Sequence, residues 1–339
     1  MVQGDYVVGV SEERATEIAM EVALEIANGY HAEAARVVRD RVTEFVPIAI
    51  RQLDAAGVLD AFRDPGFNND VAKAESAAAA SGTADDYEII ADLLTERAKT
   101  VADRIAAVEV SDAIAIAGRI DPNALRALTV VLALNVVHSS ITTEQILDTM
   151  ENDFKVLVGS GLPKGRAWID HLDAVGAVRQ QSGTTFNSAT AIWTSNMAGI
   201  YAPGMRRGEE EMRLYNETCR EIRCALPLVA HSYRPGYVRV SVSNLDVFRS
   251  DRLEDGFDEE EISKAIDAAI TFGGVGTIEA ESQRRFIADL NSREILGEVA
   301  SWLQDLPTYF EATPAGRTIG RANLRRLTGV PWKPPGPLA

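Results

Sequence analysis

A long helical pattern between Ser11 and Gly57 constrains the fold more than any other feature of the sequence. Ser11 is a favourable N-cap, and the glutamates directly behind it complement the positive end of the helix dipole. Apolar residues then recur at helical spacing as far as the stop at Gly57. Gly29 and Pro47 disfavour a helix interior, so we expect a bend or a break near one of them. At about 1.5 Å per residue the stretch would span roughly 60–70 Å, which is typical of a stalk or of the spine of a bundle.

One side of this stretch is acidic. Four glutamates recur every four residues and are called the acidic stripe below: Glu13, Glu17, Glu21 and Glu25. Like charges at this spacing destabilise a helix by about 0.2–0.5 kcal/mol per pair unless a cationic surface faces them. Two interpretations stay open, a solvated helix face and a docking surface.

The rest of the N-terminal third also has a helical pattern. It predicts an alanine-rich helix over residues 70–80, followed by a longer helix from near Asp85 to Val108. The apolar face of the longer helix suits antiparallel packing along the first one. We therefore expect residues 1–115 to form an elongated arm, built as a helical hairpin or bundle.

Net charge and hydropathy exclude several classes of protein. The 339 residues include 34 Lys and Arg but 50 Asp and Glu, which gives a net charge of −16. This charge disfavours general binding to nucleic acid or to anionic membranes, although it is compatible with a local basic patch. The sequence lacks the pattern of a signal peptide, and its longest nearly apolar run, residues 127–137, is far short of the roughly 20 residues of a membrane-spanning helix. We expect a soluble cytoplasmic protein without membrane association.

A second, helical domain is expected over residues 116–247. Asp121 and Pro122 mark a strong helix start, and the helix that follows is apolar nearly all round, so it should form the centre of the domain. A helix, a glycine-rich loop at 159–163, a second helix at 165–175 and a hairpin reaching Trp193 come next. This order is typical of a winged helix.

The winged-helix-like unit has two interpretations. Four of its residues would face nucleic acid in a DNA-binding version: Lys164, Arg166, His171 and Arg179. The same helix carries Asp170 and Asp173, which would repel a polyanion. Contact with a protein is therefore favoured, and binding of nucleic acid is the alternative.

A second winged-helix-like unit is expected over residues 248–330, before a proline-rich and disordered tail at 331–339. Its last helix is predicted to begin at the cap Thr313 and to stop at Gly329. Four arginines on that helix form what is called the basic stripe below: Arg317, Arg321, Arg325 and Arg326. Because it matches the acidic stripe in period and is opposite in sign, we predict that the two stripes pack together, within one subunit or between neighbours. The alternative is a merely exposed basic face.

No grouping of residues in the sequence predicts catalysis, a cofactor or a metal. The loop after Gly159 lacks the Lys-Ser/Thr ending of a phosphate-binding loop, and no serine occupies a nucleophile elbow. Cys219, Cys224 and His231 lack the spacing and the fourth ligand of a structural zinc site. We expect a non-enzymatic protein with free thiols.

Two segments carry a family resemblance. Gly9-Val10-Ser11-Glu12-Glu13 opens the long helix, and the segment ATPAGRTIGRANLRR at 312–326 has the form of a Leu-Thr-x-x-Gly…Ile…Ala-Asn ending. Both resemble a family of uncharacterised bacterial proteins with locus-derived names of the LPO/Vpar type. The resemblance spans most of the chain, although the family continues beyond its last helix with an apolar, acidic ending where this chain has Trp332-Lys333-Pro334-Pro335. It implies a helical fold and no catalytic residue, and the similarity of its arm to those of bacterial conflict proteins implies a role in antiphage defence.

Together these features predict a mostly α protein that forms a homo-oligomer. Its expected function is protein–protein interaction, as a self-assembling scaffold or a sensor in a defence or stress system. The alternative is a winged-helix regulator that binds nucleic acid.

Overall fold

The structure, a computed structural model, describes residues 12–100, 102–135, 142–143 and 145–329, with side chains from residue 31 onward. The chain forms two compact units that divide between Arg119 and Ile120. In the described residues there are fourteen α-helices and five short strands, which confirms the predicted mostly α fold.

The first unit is a helical bundle centred on its third helix. Its described helices are α1 (Glu12–Ala55), α2 (Pro65–Ser81), α3 (Ala84–Lys99) and α4 (Arg104–Ala117), with a 3-10 turn at Leu59–Arg63. α3 packs against the other three helices and buries Ile90, Leu93 and Leu94 almost completely. α2 faces its neighbours with alanines, and a Cβ placed on Gly118 would lie 2.2 Å from the carbonyl oxygen of Ala77. Short side chains therefore allow these helices to approach closely.

α1 confirms the predicted long helix and is continuous across Pro47. The expected break is absent at Pro47 because the proline lies on the solvent-exposed side of the helix. Pro47 removes the N–H that would bond to the carbonyl of Thr43, but both residues are exposed. Water can therefore hydrate that carbonyl, and the helix continues.

The predicted helix from Asp85 to Val108 is in fact two helices. Asp103 ends the connection after α3, because its Oδ1 accepts hydrogen bonds from the backbone N–H groups of Ile105 (3.0 Å) and Ala106 (3.1 Å). Of these two helices it is α3 that packs along α1, and Val108 belongs to α4.

The second unit contains ten helices and five strands in its described residues. The helices are α5 (Pro122–Ala133), α6 (Ile146–Val158), α7 (Ala167–Val175), α8 (Ala189–Asn196), α9 (Glu210–Thr218), α10 (Leu245–Glu254), α11 (Glu259–Gly273), α12 (Ala280–Ser292), α13 (Glu294–Gln304) and α14 (Pro314–Thr328). The strands are β1 (Val178–Gln181), β2 (Met205–Arg206), β3 (Leu228–Ala230), β4 (Tyr237–Val240) and β5 (Tyr309–Ala312).

α5 is buried between α6, α7 and α14, as expected for the centre of this unit. Asp121 caps it by accepting from Asn123 and Ala124, as the sequence predicted. α14 likewise begins at the predicted cap, where the Thr313 hydroxyl accepts from a backbone N–H of the first turn. A buried hydrogen bond from the Asn323 amide to the Thr129 hydroxyl (2.9 Å) fixes α14 on α5.

The helix–loop–helix part of the predicted winged helix is present as α6 and α7, but the hairpin is not. Residues 189–196 form α8 instead of a strand, because the Ser188 hydroxyl caps a helix through the N–H of Ala191 (3.1 Å). β1 pairs with β5 in an antiparallel sheet, with Val178 opposite Ala312. Among the described strands, neither predicted unit has a wing of its own, because each supplies one strand of this shared sheet.

A second antiparallel sheet has the strand order β2-β4-β3 and lies against a core that includes residues of α9, α10 and α11. The domain boundary suggested by the sequence between residues 247 and 248 falls inside α10. The predicted tail at 331–339 lies outside the described residues.

Candidate interaction surfaces

α1 extends beyond the bundle that holds its C-terminal part. Phe45, Ala49 and Leu53 are buried in the first unit. The same side of the helix continues at spacings of three and four residues through Val42, which is half-buried, to Val38, whose exposed fraction is 45%. All ten residues from 31 to 40 are exposed. An apolar side of α1 therefore continues past its intramolecular partners.

Arg41 marks the end of the bundle. Its Nη1 donates to the carbonyl oxygens of Ala79 (2.7 Å) and Ala80 (3.3 Å) in the last turn of α2. A cation at this position satisfies carbonyls that the helix leaves without partners. Because the chain turns from α2 into α3 here, we call residues 12–40 of α1 its N-terminal segment.

The acidic stripe lies in this N-terminal segment. Glu13, Glu17, Glu21 and Glu25 are in α1, but their side chains lie outside the described ones. The predicted contact between the acidic and basic stripes stays a prediction.

A buried ionic cluster joins α2, α3 and α4. The Asp70 carboxylate accepts from Arg97 Nε (2.7 Å), Lys73 Nζ (2.9 Å) and the Ser111 hydroxyl (2.6 Å). Burial alone would raise the pKa of Asp70, but the hydrogen bonds from Ser111, Lys73 and Arg97 outweigh it and lower that pKa. The cluster holds three helices together, and only Asp70 and Lys73, three residues apart on α2, are linked by their spacing in the sequence.

Two arginines of the candidate nucleic-acid face are paired with carboxylates of the second unit itself. Arg166 pairs with Asp170 (3.0 Å) and donates to the Gln180 amide oxygen (2.9 Å), while Arg179 lies 3.8 Å from Asp173. Hydrogen bonds from Arg166 and Gln180 lower the pKa of Asp170, which keeps this carboxylate ionised.

Two other residues were predicted for the same face. His171 accepts through Nε2 from the backbone N–H of Asp121 (3.0 Å), so this ring nitrogen belongs to the cap of α5. Lys164 is exposed. The four predicted residues therefore lie around α7 and β1, but two of them are paired with carboxylates.

The basic stripe is partly engaged in its own unit. Arg326 donates to the side-chain oxygen of Asn323, and Arg317 donates to the carbonyl oxygen of Ala312 (2.8 Å). Arg321 and Arg325 are half-buried. Arg317 is the most exposed residue of the four.

A cleft of about 500 Å³ lies between α9 and α11. Its lining includes Thr218, Ile222, Asp267 and Phe272, and Lys264 at the rim is bonded to Glu260 (2.6 Å). Burial raises the pKa of both cysteine thiols, Cys219 and Cys224. Protonated thiols are poor nucleophiles and poor metal ligands.

His231 forms hydrogen bonds within the fold through both of its ring nitrogens. Its Nδ1 accepts from the N–H of Tyr233 (3.2 Å), so its Nε2 carries the proton and donates to the carbonyl of Ala202 (2.9 Å). Burial lowers its pKa, and the charges of Arg239 and Arg234 act in the same direction. Both ring nitrogens are therefore occupied.

Metal-binding geometry, helix hydropathy and similarity to known proteins all bear on the identity of the chain. In the part of the chain that is described, no group of three or more His, Cys, Asp or Glu residues could hold a metal ion, and no helix is long and apolar enough to cross a membrane. No curated protein and no solved structure shows significant similarity to the chain. The profile of one protein family matches residues 9–333. The chain therefore belongs to this family, which is known by a locus-derived name.

Proposed function

We propose that this chain is a non-enzymatic protein-interaction protein that assembles with itself through the N-terminal segment of α1, as a scaffold or a sensor. One observation carries the proposal: the apolar side that buries Phe45, Ala49 and Leu53 continues to Val38, where the bundle has ended. A helix gains most of its stability in water from packing an apolar face. A partner is therefore needed to cover this one.

The distribution of exposed apolar side chains supports the proposal. Eight of the thirteen large apolar side chains that are exposed in the described residues belong to the first unit, although this unit is the smaller one. They are Val37, Val38, Val46, Ile50, Leu59, Phe62, Ile105 and Val108. Exposed apolar surface concentrated on one part of a protein is typical of an interaction site.

The face around α7 supports a nucleic-acid regulator less well. Arg166 and Arg179 would have to exchange their carboxylate partners for phosphates, and Asp170 and Asp173 would remain beside the polyanion.

A role in defence or stress rests on the resemblance of the arm, and it is tested by comparing phage plaque counts on cells with and without the gene.

The assembly is tested by light scattering on purified Val38→Asp. A charge at this position should reduce the average mass toward that of one subunit, because it places a carboxylate in the expected interface. Val156→Asp is the matched control, since Val156 lies in α6 with an exposed fraction of 49%. A native chain that has the mass of one subunit at every concentration, or equal effects of the two variants, would overturn the proposal.

A further inference from the structure

The charges of α1 are separated along its length. Residues 12–30 contain five glutamates and one arginine, a net charge of −4, whereas residues 36–41 contain three arginines and one aspartate, a net charge of +2. Both blocks are in the same continuous helix. Glu21 and Arg39 are eighteen residues apart, which is about five turns, so their positions share one side of a straight helix.

Two of the three arginines in the basic block are available for an external contact. Arg41 is held at the end of α2 by its hydrogen bonds to Ala79 and Ala80. Arg36 and Arg39 are exposed, and neither one forms an ion pair among the side chains that are described. They lie three residues apart, so they are neighbours on the helix surface.

We infer that the partner of the N-terminal segment is the same segment of a second copy, running antiparallel. This inference rests on the proposed function and adds the identity and direction of the partner. Antiparallel pairing sets the acidic block of each copy against Arg36 and Arg39 of the other, whereas parallel pairing sets like charges side by side. Both copies contribute the same surface to this isologous contact, so a dimer buries it completely and no further copies are required.

The basic stripe on α14 fits the acidic block less well. Arg326 is bonded to Asn323, Arg317 is bonded to a backbone carbonyl, and Arg321 and Arg325 are half-buried. Exposed Arg36 and Arg39 need no rearrangement of a folded unit before they meet a carboxylate.

The direction is tested by charge reversal and measured as the dissociation constant from sedimentation equilibrium. Arg36→Glu/Arg39→Glu should weaken self-association at least tenfold, because it sets Glu against Glu in the antiparallel pair. In a parallel pair the same change replaces one repulsion with another and leaves the affinity unchanged. The control is Arg207→Glu/Arg220→Glu, which makes the same change of charge at two exposed positions of the second unit. At protein concentrations well above both dissociation constants, circular dichroism should show equal helix content in the two variants.

A second variant completes the test. Glu17→Arg/Glu21→Arg should also weaken self-association, and an equimolar mixture with Arg36→Glu/Arg39→Glu should form a mixed dimer of about native affinity. The antiparallel contact is overturned if Arg36→Glu/Arg39→Glu associates as tightly as its control. In that case the proposed function survives provided that Val38→Asp still dissociates the assembly, and a native chain that is monomeric removes both.

Discussion

The buried pair of Arg97 and Asp70 provides the sharpest test of what stabilises the first unit. The exposed fractions of the two side chains are only 8% and 5%, and Arg97 Nε lies 2.7 Å from Asp70 Oδ2. Arg97→Met retains an apolar side chain of similar length but leaves Oδ2 without its donor. Removing one partner of a buried pair destabilises a protein by about 3–5 kcal/mol. Because Oδ1 retains Lys73 and Ser111, we expect the lower end, about 3 kcal/mol.

Urea unfolding can assign this loss to the first unit. All four tryptophans follow residue 160, so their fluorescence reports on the second unit, whereas far-ultraviolet circular dichroism reports on both. With a slope of about 1–3 kcal/mol per molar urea, the dichroism transition of the first unit should move by about 1–3 M while the fluorescence midpoint stays in place. Arg63→Met is the control, because its pair with Asp60 is more than four-fifths exposed and contributes about 1 kcal/mol at most. Equal shifts in the two variants would refute the reasoning.

The pair also predicts a dependence on pH. The pKa of Asp70 is lower in the folded protein than in the unfolded chain, where it is about 3.9. Its contribution to the free energy of unfolding is therefore complete above about pH 4 and is lost as the pH falls through the folded pKa. The difference between native protein and Arg97→Met should shrink below pH 4, and a constant difference would contradict this assignment.

Two further predictions concern the second unit. Gly316→Ala should destabilise the second unit by about 3 kcal/mol, because the new Cβ would lie 1.8 Å from the Ala177 carbonyl oxygen. Gly297→Ala is the control, since the nearest atom to its new Cβ is 3.6 Å away. This variant should raise the thermal midpoint through a gain in helix propensity of up to about 1 kcal/mol. Equal thermal midpoints for the two variants would contradict the close approach. The depressed pKa of His231 makes its contribution to stability complete above about pH 6.5 and lost as the pH falls below that value. His231→Gln should therefore show a smaller change of urea midpoint between pH 7 and pH 5 than the native chain, and equal slopes would rule out this histidine as the cause.

Features that depend on a few neighbouring residues could be predicted from the sequence. The caps Asp121 and Thr313 and the stop at Gly329 are local chemistry, and all three occur where the sequence placed them. The sheet of β1 and β5 could not be predicted in this way. β1 has four residues, VRQQ, and its partner lies more than 120 positions away, so hydrophobic alternation gives no pairing signal.

The candidate surfaces show the same limit in their side chains. Periodicity identifies the basic stripe as a set of positions on one helix, but the exposure of each side chain depends on what the helix packs against. Arg321 and Arg325 are half-buried in α14, which lies on α5 and is bonded to it from Asn323 to Thr129. Arg166 and Arg179 look available in the sequence, yet Arg166 pairs with Asp170 one turn along α7, and the turn from α7 into β1 brings Arg179 to Asp173.

The length of α1 is better explained by assembly than by folding. α2, α3 and α4 have 17, 16 and 14 residues, whereas α1 has 44. At about 1.5 Å per residue, α3 can cover roughly 24 Å of a helix that is roughly 66 Å long. Residues 31–40 of α1 are all exposed, so they gain nothing from the core of the first unit, and an isolated helix in water is only marginally stable. A second copy packed on Val38 would stabilise the segment as a helix, so the contact that completes α1 would also join the subunits.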